Sequence, residues 1–275
     1  MSQHKLLKDY VRTLVQSDQI NSLVIRGAGG IGKSYTIVQA LDKQGLIRNK
    51  HYILMTGHIT PLALYKMIGN SASLSHPRLI VFDDVDAIVQ NKTSIALLKS
   101  ALWEIDGKRL VSYNSTSSKI EGPTTVEFTG KVIIVLNNIK QENAFGKPLL
   151  DRGIMFDMTM QPQEVIQYVE KIMPKLSTPI SLEQRLAVWE QIKRFADNPS
   201  FSIRSLLRAM EFFHLDPDNW LTLYVNTLSL SSEQKILYSV REEFKTVKEQ
   251  EKAWITQTGM GRAQFYRTKK SIKVS

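Results

Sequence analysis

Two spacings of apolar residues divide the chain. As far as Gln161-Pro162, short blocks of consecutive apolar residues alternate with stretches in which such residues recur every three or four positions. Beyond that dipeptide only the second pattern persists. The blocks at 22–26, 52–57, 79–82, 131–136 and 154–160 predict strands. Residues 1–20 carry Leu6, Leu7, Tyr10, Leu14 and Val15 at helical spacing. Further helices are expected from Tyr35 to Leu41, over 61–68 behind a Thr60 cap with Pro61 at its first position, and over 93–105. Residues 109–114 and 125–128 read as the two strands of a hairpin with a polar loop between them. Strands alternating with helices imply an α/β fold, a parallel sheet with crossover helices on both faces. The later pattern predicts helices at 164–173, 182–196 and 203–213, then a helical segment from Ser231 that is first charged and finally basic. The expected organisation is an α/β domain over 1–160, a small all-helical domain over 161–230 and a basic helical segment over 231–275.

Between the first strand and the helix from Tyr35 lies Gly27-Ala28-Gly29-Gly30-Ile31-Gly32-Lys33-Ser34, a complete G-x-x-x-x-G-K-[ST] phosphate-binding loop. Glycines let successive backbone N–H groups curl around phosphate oxygens, and the helix N-terminus adds its dipole. In that chemistry Lys33 reaches the β- and γ-phosphates and the Ser34 hydroxyl ligates Mg²⁺. The strand–loop–helix context makes a chance glycine-rich turn the minor alternative. The expected ligands are ATP and Mg²⁺, with Tyr35 at the edge of the site.

Hydrolysis needs a carboxylate at the end of a neighbouring strand. The strand at 79–82 runs into Asp83-Asp84, which makes Asp83 the metal-side carboxylate and Asp84 the candidate to orient or deprotonate water. A helix cap is the structural alternative for Asp84. The strand at 131–136 ends in Asn137-Asn138, and one of these two amides is expected to sense the γ-phosphate, with an ordinary turn as the alternative. Leu149-Leu150-Asp151-Arg152 follows. Phosphate loop, Asp-Asp strand, strand-end asparagine, Leu-Leu-Asp-Arg and a trailing helical domain occur in the order that the AAA+ ATPases show, and roughly residues 20–215 resemble that family. The resemblance implies that Arg152 is a finger reaching a neighbouring subunit's ATP, hence a homo-oligomeric ring, expected to be a hexamer. It also implies that the helical domain is a lid in which Arg204, within 201–209, contacts phosphate, with Arg208 as the fallback.

Residues 105–128 refine the picture. An Asp106-Gly107 turn followed by alternating residues is a hairpin signal, and its place before the 131–136 strand is similar to hairpins of superfamily 3 viral helicases and of the Holliday-junction branch-migration motor. That likeness implies nucleic-acid contacts by Lys108, Arg109 and Lys119. The whole organisation also resembles AAA family ATPases encoded by bacteriophages. At the other end, a helix with Trp254 and Ile255 as anchors, a Gly-containing turn and a basic helix with Phe265 and Ile272 inward form a helix-turn-helix pattern. Its candidate DNA contacts are Arg262 and Gln264 to bases and Arg267, Lys269 and Lys270 to phosphates. A basic tail packed on the lid or on a partner is the competing reading.

Composition sharpens this only in places. With 36 Lys and Arg against 26 Asp and Glu the net charge is +10, which favours polyanionic partners such as DNA. The absence of cysteine excludes disulfides, zinc ribbons and thiol catalysis. The five histidines show no metal-ligand spacing, and Trp103, Trp189, Trp220 and Trp254 read as core. The charged start lacks the apolar stretch of a signal peptide, so a cytoplasmic location is expected. The leading expectation is an ATP-hydrolysing oligomeric motor acting on DNA in viral or mobile-element replication or recombination. The alternatives are an ATP-switch loader or transposition-targeting ATPase, or a protein remodeller.

Overall fold

In a computed structural model, the chain is described over residues 2–85, 88, 91–114, 123–137, 153–198 and 200–272. It divides into two compact units, Met1–Thr159 and Met160–Ser275.

The first unit holds strands β1 (Ser22–Gly27), β2 (Tyr52–Thr56), β3 (Leu79–Asp83), β4 (Leu110–Ser112), β5 (Thr125–Glu127), β6 (Lys131–Leu136) and β7 (Ile154–Met158). Five of them form one parallel sheet in the order β2-β3-β6-β1-β7, while β4 and β5 pair antiparallel on their own. The register sets Val24 beside Ile134, and Ile134 beside Phe82, so the carboxyl ends of β1, β3 and β6 lie side by side. In open α/β sheets that edge is where ligands bind.

Side-chain alternation gives each strand two apolar faces. Val24, Ile80, Phe82, Val132, Ile134 and Leu136 share a core cluster with Leu64, Tyr65 and Ile68 of α3 (Pro61–Asn70) and Leu97, Leu98 and Ala101 of α4 (Lys92–Leu102). On the opposite face Leu23, Ile25, Leu79, Val81, Ile133 and Val135 are equally buried. There α1 (Gln3–Gln16) lies on β1, β7 and α2 (Lys33–Asp42), with the Tyr10 and Phe156 rings 5.2 Å apart. Burial on both faces is why these strands read as unbroken apolar runs. Lys131, 6 % exposed, donates from Nζ to the Leu14 carbonyl at 2.7 Å and to that of Ser17, satisfying carbonyls that the end of α1 leaves open.

The predicted helix over 93–105 ends at Leu102. Asp106 and Gly107, both at positive φ (51° and 76°), make a tight turn across which Ile105 and Lys108 exchange backbone hydrogen bonds of 2.9 and 3.0 Å. The turn takes over before another helical turn can form. Trp103, expected in the core, therefore falls beyond the helix's buried face and is 47 % exposed.

The second unit is helical: α5 (Pro162–Ile172), α6 (Leu182–Ile192), α7 (Ile203–Leu215), α8 (Trp220–Thr227), α9 (Ser232–Glu243), α10 (Val247–Thr258) and α11 (Arg262–Ser271). Reciprocal capping boxes open α6 (Ser181 with Gln184), α9 (Ser231 with Gln234) and α10 (Thr246 with Glu249). One apolar cluster runs through the unit, so that Leu237, Trp254, Phe265 and Ile272 share a core with Val169, Trp189 and Tyr224. Among the described residues no helix is long and apolar enough to cross a membrane. The fold class read from the sequence, a parallel α/β sheet with helices on both faces followed by helices alone, is the one observed.

Candidate functional site

β1 delivers the chain to the loop at Gly27, which is wedged against β7: a Cβ there would lie 2.5 Å from the Met158 carbonyl oxygen. At the far end Gly32 takes φ 86°, a left-handed value that side chains resist, and α2 starts at the next residue. The turn forced by these glycines aims the open N–H groups of the first turn of α2 at the loop. Thr36 Oγ1 donates back to the Gly32 carbonyl at 2.8 Å, and His4 Nε2 of α1 donates to the Ile31 carbonyl at 2.9 Å. The loop is thus fastened from its own helix and from the helix before it.

Lys33 is 5 % exposed. Its Nζ donates to the carbonyls of Gly27 (2.8 Å) and Ala28 (2.7 Å) and to Asn137 Oδ1 (3.2 Å). The other end of the same amide, Asn137 Nδ2, donates to Asp84 Oδ1 at 2.8 Å. Ser34 Oγ donates to Asp83 Oδ1 at 2.7 Å. Asp84 sits at φ 54°, a backbone conformation that aspartate tolerates better than most residues. The ends of β1, β3 and β6 therefore bring together a lysine, two carboxylates, a hydroxyl and an amide, which the sequence scatters over more than a hundred positions. Of the two asparagines, Asn137 stands in this network, and Asn138 lies outside the described residues.

At the adjoining strand end Arg26 of β1 meets its cross-strand neighbour Asp157 of β7 in a bidentate pair, Nε to Oδ1 at 2.6 Å and Nη2 to Oδ2 at 2.7 Å. The hydrogen bond from Arg26 holds the Asp157 carboxyl below its ordinary value, outweighing the opposite effect of burial. Tyr35, 55 % exposed at the start of α2, accepts from Gln39 Nε2 at 2.6 Å, and Gln39 Oε1 accepts from Lys8 Nζ of α1 at 3.0 Å.

Chemically, the paired oxygens of Ser34 and Asp83 suit a hard divalent cation such as Mg²⁺, which takes one or two protein oxygens and keeps the rest of its shell for water and phosphate. The Lys33 ammonium and the loop N–H groups suit phosphate oxygens. The residues present fit a nucleoside triphosphate with its metal.

No family model matches the chain. It is 28% identical over 220 residues to an uncharacterized 36.7 kDa protein of the nrdC–mobD intergenic region of Enterobacteria phage T4, an alignment that takes in 73% of this chain. This chain spans 66% of that protein's length, just under two thirds. Among solved structures it is similar to the Thermotoga maritima RuvB Holliday junction branch migration motor, at a TM-score of 0.49 and 13% identity over 98% of this chain and 85% of that one. A structure of a variant of the same RuvB gives 0.48 and 13% over 98% and 84%.

The expected nucleic-acid contacts separate into distinct cases. Arg109 is half-buried and engaged within the fold. Its Nη1 donates to the carbonyls of Gly130 (2.8 Å) and Ala101 (3.4 Å), and its guanidinium lies 5.2 Å from the centre of the Phe128 ring. It ties the end of α4 to the β5–β6 turn, and burial lowers its pKa. Lys108 is exposed on the Asp-Gly turn. Lys119, and Arg152 of the expected finger, lie outside the described residues. Arg204 is the second residue of α7 and is exposed, as is Arg208 one turn on.

The three C-terminal helices form one packed group. α9, α10 and α11 pack mutually. Trp254 Nε1 of α10 donates to the Glu233 carbonyl of α9 at 2.9 Å, and its ring lies 5.7 Å from that of Phe265 on α11. Gly259, at φ 69°, ends α10 and turns the chain into α11. On α11, Phe265 and Thr268 point inward, Gln264, Arg267 and Lys270 are exposed, and Lys269 is half-buried. Sequence reasoning passed over Glu251 and Tyr266, both of which touch Arg262. The four-residue step from Arg262 to Tyr266 was the available signal. It passed over His4 as well, although His4 lies one helical step before the inward-facing Leu7.

Proposed function

We propose that this chain is an ATPase of the AAA+ kind that works on DNA as a homo-oligomer. The observation that carries the reading is the network at the sheet edge, in which Lys33, Asn137 and Asp84 are joined in series beside the Ser34–Asp83 pair. In this reading the glycine loop and the α2 N-terminus hold the triphosphate, and Lys33 exchanges its contacts with the Gly27 and Ala28 carbonyls for phosphate oxygens. Ser34 and Asp83 hold Mg²⁺, which when bound offsets charge on the phosphates. Asp84 takes a proton from the attacking water, and Asn137, already hydrogen-bonded to both Asp84 and Lys33, positions that water against the terminal phosphate. Aspartate is one methylene shorter than glutamate, and the left-handed backbone at Asp84 with the Asn137 amide sets where its carboxylate stands. Arg152 from a neighbouring subunit completes the site, and Arg204 contacts phosphate from the helical unit.

The DNA part of the reading is supported by the three-helix frame around α11, by the exposed Arg267 and Lys270, and by a net charge of +10. A motor that moves along DNA is the form of action we favour. The test is steady-state hydrolysis of ATP with Mg²⁺, with and without single- and double-stranded DNA, followed by a strand-displacement assay. Hydrolysis stimulated by DNA with directional displacement supports the motor. Stimulation without displacement converts the reading to an ATP-switched loader. Hydrolysis indifferent to every DNA overturns the DNA role.

A further inference from the structure

Arg262 opens α11, the helix that the proposed function places against DNA, and its guanidinium is held from two sides. Nε lies 3.3 Å from Glu251 Oε1 of α10, and Cζ lies 5.7 Å from the centre of the Tyr266 ring, one turn further along α11. The holders are themselves joined, because the Tyr266 hydroxyl donates to Glu251 Oε2 at 3.0 Å. The Glu251 side chain is 18% exposed, whereas that of Arg262 is 74% exposed. An ion pair this open to water adds little to stability. What the triangle does is restrict where a long side chain on a surface points.

The geometry matters because of which nitrogen is engaged. Glu251 takes Nε, and an end-on fork contact to O6 and N7 of guanine uses the two terminal nitrogens. The first residues of the second helix are those that meet base edges in a helix-turn-helix. Lys270 and Arg267 stand on the exposed side of α11, away from Phe265 and Thr268, and each offers charge without a carboxylate within ion-pair distance among the described residues. We infer that Glu251 and Tyr266 hold Arg262 as a base-reading arginine that selects guanine in the major groove of duplex DNA, while Arg267 and Lys270 bind phosphate without regard to sequence. This rests on the DNA reading of α10 and α11.

The experiment is selection of bound duplexes from a random-sequence pool by the full chain, then competition between a selected site and the same site with its guanine replaced by adenine. The native chain is expected to prefer the guanine site by about 5- to 150-fold, the range of one good bidentate contact. Arg262→Lys keeps the charge but lacks the fork, so that preference is expected to fall to near unity while overall duplex binding and its salt dependence persist. Glu251→Gln is expected to lower the preference part-way, with Arg267→Ala weakening both sites equally. Unchanged thermal unfolding of the variants certifies their fold. A native chain that binds duplex but selects no guanine, or an Arg262→Lys chain that keeps the preference, overturns the inference and leaves the DNA reading standing. A native chain with no salt-dependent binding to any duplex overturns both.

Discussion

At the sheet edge Lys33 is 5 % exposed and its ammonium is shared among two loop carbonyls and Asn137, while on α11 Arg267 and Lys270 stand in solvent. In the proposed function both regions offer positive charge to phosphate, and they would do so by opposite means. The buried lysine is held in place before any ligand arrives, and in a low-dielectric setting its charge is little screened by salt. The exposed cations are open to solvent and screened by salt, so in the proposed function they would attract a polyanion over distance and release counterions on binding it. Arg262 stands between these cases, exposed yet held. The difference predicts that damage to the first region slows chemistry alike at any salt concentration, whereas damage to the second changes affinity in a way that salt can imitate.

The largest effect should come from Lys33→Ala, which removes the charge at the centre of the network. The expected loss in kcat/KM for ATP is on the order of 10²–10³, the scale seen when one preorganised electrostatic donor is deleted. Steady-state kinetics at low and high salt check it, and a loss that salt restores would erase the distinction drawn above. Next in size, Asn137→Ala should retain nucleotide binding and lower kcat by about 10²-fold, a scale typical of a group that positions the attacking water. Titration with a fluorescent ATP analogue separates binding from turnover, and loss of binding alone would make Asn137 a structural strut.

Gly27→Ala tests the frame of the loop. Its Cβ would meet the Met158 carbonyl at 2.5 Å, a backbone atom of the adjoining strand that has no rotamer to move to. A destabilisation of about 1–3 kcal/mol is expected, visible as a lower midpoint in urea at unchanged slope. Removing both Arg267 and Lys270 should leave ATP turnover without DNA untouched. It should also flatten the plot of log binding constant against log salt by about 2, roughly 0.9 for each phosphate that is no longer neutralised. The smallest effect belongs to Asp157. Its native pKa is depressed by the hydrogen bond from Arg26, so the pair's contribution is full above the ordinary carboxylate value of about 3.9 and is lost as pH falls through the lower native value. The Asp157 side chain is 52% exposed, which limits that contribution to under about 1 kcal/mol. Native and Asp157→Asn chains should therefore differ slightly in stability at pH 7 and converge as the pH falls through the depressed native value.

How far the sequence disclosed this arrangement depends on how local each signal was. The phosphate loop was legible because its glycines, lysine and serine are contiguous, and the strands because burial on both faces writes an unbroken apolar run. The meeting of Asn137 with Lys33 and Asp84 was legible only as a strand end beside a loop, since sheet order decides which ends are neighbours. The structural contacts of Arg109 were not legible, because a cation next to a turn looks exposed in one dimension, while the fold sets it against the Gly130 carbonyl and the Phe128 ring. Trp103 was misjudged because helical spacing was carried past Leu102, where the Asp106-Gly107 turn takes over. α8 was missed altogether, a short helix whose Trp220 and Tyr224 are buried but whose flanks carry no strong cap. The segment from Ser231 reads as a separate basic helical stretch, with a tail packed on the lid as the alternative. Its tryptophan and phenylalanine sit in the same core as Trp189, which is a matter of tertiary packing that spacing alone does not record.

That shared core also selects the decisive measurement, because cutting the chain before α10 would remove Trp254 and Phe265 from the interior and confound any loss of DNA response. The central claim is better tested with point substitutions: ATP hydrolysis by the full chain with Mg²⁺, with and without duplex DNA, at low and high salt, beside Lys33→Ala and the Arg267→Ala, Lys270→Ala double variant. The account predicts hydrolysis that Lys33→Ala lowers by on the order of 10²–10³ at either salt concentration, and a DNA stimulation that high salt suppresses and the double variant largely loses. Hydrolysis that Lys33→Ala leaves near the native rate, or turnover that no DNA changes at either salt concentration, would contradict it.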